Sequence, residues 1–193
     1  MTSPFAPTAR PLPILVAGDP RLRERSREIG AVDSELLVEA SALIATLKDF
    51  RDRSGFGRAI SAVQVGIVKR LVAMNLGGGP FILINPEITW RGDDSFTVWD
   101  DCLSVPDVIV RVRRHSSIRV RFRDHRFRVR EAANLTPDLS ELIQHELDHL
   151  NGVLMTDLAD GADAIQPLSR WKELVGATRP STATSLDDFA REL

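Results

Sequence analysis

At 193 residues, with 43% hydrophobic and 27% charged side chains, the chain is long enough to bury one core without disulfides or metal clips. A formal charge of −2 at pH 7 gives no overall reason to expect a nucleic-acid partner, and no apolar run approaches the ~20 residues that cross a bilayer. The N-terminus lacks a basic segment followed by a long apolar one, and the single cysteine, Cys102, excludes an intramolecular disulfide, so a cytoplasmic protein is expected.

Residues 1–13 contain four prolines and read as an extended arm, followed by a turn at Gly18-Asp19-Pro20. Asp33 or Ser34 caps a helix reaching about Asp52, with Leu36, Leu37, Ala40, Leu43, Ile44 and Leu47 at helical spacing. "SGFGRAISAVQVG" breaks that pattern as a glycine-bearing loop. "RLVAMNL" and "FILINPEITW" read as strands around a Gly77-Gly78-Gly79-Pro80 turn, and "SFTVWDDCLSVP" as a strand ended by Pro106. From Val108 to Arg130 apolar and basic residues largely alternate, the period of half-buried antiparallel strands. A helix spans "LTPDLSELIQHELDHLNGVL", and after Met155 come a weaker amphipathic piece and a Ser/Thr-rich tail. Strands first and then one helix laid on them suggest an α+β fold, with a single domain over 1–175 and a tail over 176–193.

The late helix carries the chemistry. Thr136 suits its N-cap, Pro137 its first turn, and Gly152 its end. On a helical wheel Leu139, Leu142, Ile143, Glu146, Leu147 and Leu150 share one arc, with His145 and His149 at its edge. Glu141, Gln144, Asp148 and Asn151 fall on the opposite side. Glu146 therefore sits inside the face that ought to be apolar, and a buried carboxylate needs a cation or a catalytic task. The H-E-x-x-H spacing answers this: residues four apart present two imidazoles to one ion, and the glutamate lies beside it to move a proton.

Two protein ligands do not complete such a site. A downstream His or Glu could supply the third, but no familiar spacing follows the helix, and His115 and His125 precede it. Cys102, in "WDDCLSVP", is the more attractive donor, since a thiolate binds Fe²⁺ or Zn²⁺ tightly.

At these motifs the sequence resembles the peptide deformylases. "HELDHL" (His145 to Leu150) matches that family's H-E-x-D-H-L, "DDCLS" (Asp100 to Ser104) its E-G-C-L-S, and "GRAISAVQ" (Gly57 to Gln64), loosely, its G-x-G-L-A-A-x-Q. "GDPRLR" and "LINPEI" also look like family positions. The resemblance spans about Ile14 to Asp157. It implies a deformylase-like α+β fold with antiparallel sheets packed around the metal-binding helix, and one ion per chain held by Cys102, His145 and His149, Fe²⁺ by preference with Zn²⁺ or Ni²⁺ as substitutes. It further implies hydrolysis of an N-formylmethionyl peptide to formate and a free amine. Glu146 would manage the proton, and the Gln64 side chain and the Leu103 N–H would hold the oxyanion. Gly57, Arg58, Ile60 and Asp101 would contact substrate. Asp148 reads as a supporting residue paired with an arginine of the basic strands. Proximity to the ribosome fits such a substrate; no membrane partner and no direct nucleic-acid partner are expected.

Several positions depart from the family pattern: Asp101 and Ala59 stand for glycines, Ser61 for alanine, Asp100 for glutamate, and Glu141 near a frequent arginine. A recharged pocket would favour a small N-formyl amino acid or metabolite, with Arg58 meeting its free carboxylate. An inactive relative that keeps its ion is a further alternative. So is an H-E-x-x-H endopeptidase, and so is an RNA-binding relative using the arginines between Arg111 and Arg130. A solvated face balanced by acidic neighbours is the plainer reading of those arginines.

Overall fold

The computed structural model describes residues 5, 9–133, 135–175 and 189. The expected tail over 176–193 and the start of the proline-rich arm therefore fall almost wholly outside the described residues. In chain order the strands are β1 (Ala59–Ser61), β2 (Leu71–Asn75), β3 (Pro80–Arg91), β4 (Ser95–Cys102), β5 (Val105–His115), β6 (Ile118–Arg123), β7 (Val129–Ala132) and β8 (Ile165–Pro167). They form a five-stranded antiparallel sheet ordered β1-β2-β3-β6-β7 and a three-stranded one ordered β4-β5-β8. The helices are α1 (Ser34–Ser54), α2 (Pro137–Leu150) and the short α3 (Trp171–Leu174).

The layering follows from the two central strands. In β2 and β3 successive side chains point to opposite faces, and both sets are apolar and buried. Val72, Met74, Phe81 and Leu83 pack with Leu139, Ile143, Leu147 and Leu150 of α2. Leu71, Ala73, Ile82 and Ile84 pack with Leu36, Ala40, Leu43 and Leu47 of α1. A sheet apolar on both faces requires cover on both, so one helix lies on each side. Helix α1 starts where the Asp33 carboxylate accepts from the Leu36 N–H at 2.8 Å, close to the expected boundary.

The period-two reading of the basic region holds in β6. Ile118, Val120 and Phe122 point inward while Arg119 and Arg121 point out. The outward arginines find acidic partners: Arg119 with Glu131 at 3.2 Å, Arg121 with Glu87 at 2.5 Å, and Arg128 with Asp124 at 2.7 Å. That is the balanced face expected from the sequence.

Three boundaries differ from expectation. The glycine-bearing segment contains β1 and a 3-10 turn over Ala62–Val65 rather than a loop alone. Pro106 lies inside β5 instead of ending a strand; it stands beside the β4–β5 turn, before the pairing with β8 begins at Val108, where no N–H is needed. Strand β8 itself, in a segment read as weakly amphipathic, completes the small sheet. Among the described residues no helix is long and apolar enough to cross a membrane.

Candidate metal centre

Helix α2 lies between the α2-facing side of the large sheet and the β4–β5 hairpin. From Leu139 to Leu150 only Asp148 is less than fully buried. This corrects the expectation of a polar outer side. Gln144 accepts from the His115 N–H at 3.0 Å and donates to the His115 carbonyl at 2.9 Å, so it joins α2 to β5. Glu141 is met by Arg58 of the segment before β1, at 3.2 Å. A wheel drawn for one packing partner does not show the second. At the far end the helix stops as expected: Gly152 has φ +77°, and a Cβ there would stand 2.4 Å from the Arg23 carbonyl oxygen.

The late helix and the end of β4 bring three donors together. Cys102 Sγ lies 3.2 Å from His149 Nε2, which lies 3.1 Å from His145 Nε2, and all three atoms fall within 4.8 Å of one another. Donors bound tetrahedrally to one Zn²⁺-sized ion stand about 3.3–3.6 Å apart, so the three are positioned for a common cation. All three residues are buried. A pairing irregularity between Asp100 and Cys102 turns the end of β4, and the Ser104 N–H reaches the sulfur at 3.4 Å.

The chemistry of the donors fits a metal. Asp100 Oδ2 sits 2.9 Å from His145 Nδ1 and accepts from Arg114 at 2.9 Å. An ionised carboxylate only accepts, so His145 carries a hydrogen on Nδ1 and turns its Nε2 toward Cys102 and His149. Burial opposes the Asp100 charge, but His145 and Arg114 outweigh it and hold the carboxyl far below the ordinary range. Burial likewise opposes charge on His145, yet Asp100 raises its pKa well above that of a free imidazole. The field that favours a proton there favours a metal cation equally. Burial, and then His145, keep His149 neutral, with its pKa well below the usual value. Asp148 pairs with Arg114 at 2.5 Å, the arginine partner expected of it from the basic strands.

Asp100→Asn would leave His145 an uncharged acceptor and Arg114 with Asp148 alone. Metal affinity is expected to fall by ~10–100-fold. The chelator concentration that strips half the ion measures this; an unchanged midpoint would show that Asp100 does not orient the ligand.

Glu146 stands beside the three donors, 3% exposed. Burial raises its pKa, while His145 and the Ser61 hydroxyl pull it down without cancelling the rise. Ser61 Oγ is 2.6 Å from Glu146 Oε2 and 2.9 Å from the Glu146 carbonyl oxygen. Period two in β1 sends Ser61 and Ala59 toward α2 and Ile60 to the other face. Ile60 is fully buried in the α1-side core and does not line the cavity. The Ser61 N–H also donates to Gln64 Oε1 at 2.8 Å, which turns Gln64 Nε2 toward Ser104 Oγ at 3.1 Å and Cys102 Sγ at 3.8 Å.

A cavity of about 670 Å³ opens onto His145. Gly57, Arg58, Asp101 and Leu103 line it with Leu142, and Leu168 and Trp171 stand on its wall. Gly57 has φ +114°, and a Cβ there would come within 3.1 Å of Phe50. Arg58 is engaged by Asp138 at 3.4 Å as well as by Glu141. Its guanidinium is thus already paired with two carboxylates of α2.

Sequence reasoning passed over Ser104, Arg114 as a member of this site, and the wall formed by Leu168 and Trp171. Ser104 lay within the quoted "DDCLS"; Arg114 was one of many arginines, distinguishable only by its burial.

The profile of the polypeptide deformylase family matches residues 11–164. The chain belongs to that family. It is 36% identical over 152 residues to the peptide deformylase of Agrobacterium fabrum, covering 75% of this chain and 85% of that one. The crystal structure of the Thermotoga maritima deformylase superposes with a TM-score of 0.72 at 33% identity, over 79% of this chain and 99% of that one. A Met-Ala-Ser-bound deformylase from Acinetobacter baumannii gives 0.70 at 25% identity, over 78% and 99%. Deformylases are metallohydrolases of the N-formyl amide bond, and the α+β expectation agrees with these neighbours.

Proposed function

We propose that this protein removes the formyl group from N-formylmethionyl peptides, releasing formate. The observation that carries the reading is the convergence of Cys102, His145 and His149 beside Glu146, with His145 lining a cavity, in a chain of this family. Cys102, His145 and His149 would hold one ion, Fe²⁺ in preference to Zn²⁺ or Ni²⁺. Once bound, that ion supplies Lewis acidity and a water of lowered pKa.

The chain's own residues do the rest. Glu146 takes a proton from the attacking water at its carboxylate and delivers it to the leaving amine nitrogen as the formyl C–N bond breaks. Gln64 Nε2 and the Leu103 N–H donate to the oxygen that gains charge, donors typically worth ~3–4 kcal/mol each. Gly57, Arg58 and Asp101 stand where the substrate backbone and first side chain would lie. A substrate made by translation puts the enzyme in the cytoplasm near the ribosome. The Met-Ala-Ser ligand of the Acinetobacter relative supports a peptide substrate, and so does the occupied guanidinium of Arg58.

The test is formate release by anaerobically prepared holoenzyme from formyl-Met and formyl-Met-Ala-Ser. A kcat/KM at least ~10-fold higher for the tripeptide is expected, the worth of a few extra backbone contacts. Preference for formyl-Met would replace this reading with a small N-formyl substrate. No release from either, with metal bound, would mark an inactive relative.

A further inference from the structure

A second cleft of about 660 Å³ shares no lining residue with the cavity at the metal centre. It lies where β3 and β6 fall out of register between Ile84 and Glu87, at Asn85, whose φ is +49°. Such irregularities open a sheet and re-aim its side chains. Four arginines converge on the cleft from separate parts of the chain: Arg25, Arg70, Arg121 and Arg123.

Two of these are committed. Arg121 pairs with Glu87, and Arg123 donates to the Phe127 carbonyl at 2.9 Å. Arg70 is held rigidly, donating to Asn151 Oδ1 and to the Pro86 carbonyl, both at 3.0 Å. Neither partner is charged. Burial, followed by the nearby Arg25, lowers the Arg70 pKa, so two guanidinium groups oppose one another here. Arg25 is exposed, and its side chain has no hydrogen bond or ion pair among the described residues. The remaining acid of the cleft, Glu28, offsets only part of this charge.

Like-charged guanidinium groups facing one cleft call for a multivalent oxyanion, which accepts from both at once.

We propose that this cleft binds a phosphate group, carried by a mononucleotide or by an RNA chain, with Arg25 and Arg70 as its donors. The 660 Å³ volume exceeds what a bare phosphate fills, and Glu28 and Glu87 offer acceptors to ribose hydroxyls or base amino groups. A mononucleotide is therefore expected to bind more tightly than inorganic phosphate.

The experiment is calorimetric titration of the holoenzyme with inorganic phosphate, adenosine monophosphate and a ten-nucleotide single-stranded RNA, at low and physiological salt. Arg25→Gln is the principal variant because its exposed side chain holds no part of the fold. Arg25→Glu is the second, and both should keep the parent's formate release. Arg25→Gln is expected to weaken phosphate-ligand binding by about tenfold, the worth of one charged hydrogen bond, and Arg25→Glu by more. Binding of the monophosphate with that loss identifies a free nucleotide as the ligand. Binding of RNA alone, again with that loss, identifies a nucleic-acid backbone. Binding that neither variant weakens, or that chloride abolishes equally for all three ligands, would overturn the site as non-specific attraction. Absence of binding by every ligand would overturn it outright.

Discussion

Cys102→Ala protein is expected to fold, to purify without a stoichiometric metal ion, and to release no formate above background. The side chain is small and packs with Val110, Val112 and Met155, so its truncation should lower stability by only ~1 kcal/mol. The effect on the site is of another order. Removing the sulfur leaves two imidazoles, one fewer protein ligand than catalytic sites of this kind use. Neither of the other two histidines is free to take its place. His115 is held by its Nδ1 contact with the Gly92 carbonyl at 2.9 Å, and His125 packs against Phe5. The loss of affinity should exceed the ~10–100-fold typical of changes behind the ligands. Metal content after dialysis and formate release on the same preparation measure both halves of the expectation. A Cys102→Ala protein that retains one equivalent of ion would remove the sulfur from the ligand set. It would also revive an endopeptidase-like site with a third His or Glu donor.

How much of this site could be read from the chain depends on the range of each contact. His145 and His149 are four residues apart on one helix, so their common direction is local geometry, and Glu146 betrayed itself as a carboxylate in an apolar arc. Cys102 stands 43 residues before His145 on another element, and nothing local links them; the family motif supplied that link. Asp148 was read as turned away from the ion and paired with an arginine, and Arg114 provides that partner. Burial of Glu141 and Gln144 was illegible for a different reason. Hydropathy gives one moment per helix, whereas α2 is covered by two sheets, and its polar flank is satisfied by Arg58 and by the β5 backbone. The inward turn of the Ile60 side chain was illegible because a loop was read where β1 alternates. Strand β8 escaped notice because three residues carry no periodicity. In each case the missing information was a partner distant in sequence.

Glu146→Gln is expected to keep its metal and its fold while losing most of its turnover. The amide has the shape of the carboxylate and can still accept from the Ser61 hydroxyl, which lies 2.6 Å from Glu146 Oε2. The three donor atoms are untouched, so metal content should match that of the parent. What the amide lacks is basicity: it can neither take a proton from the attacking water nor return one to the departing nitrogen. Positioned general acid–base groups typically contribute 10²–10⁴-fold, so kcat should fall by about that factor, equivalent to roughly 3–5 kcal/mol of barrier. Because the interaction is made in the transition state, KM should change little. Stability should hold or rise slightly, since burial already works against the charge at this position. Steady-state kinetics on formyl-Met-Ala-Ser, metal analysis and thermal melting together separate this outcome from a collapsed site. Turnover within a few-fold of the parent, with metal retained, would show that Glu146 is a buried structural carboxylate held by Ser61 and that the proton moves through another group.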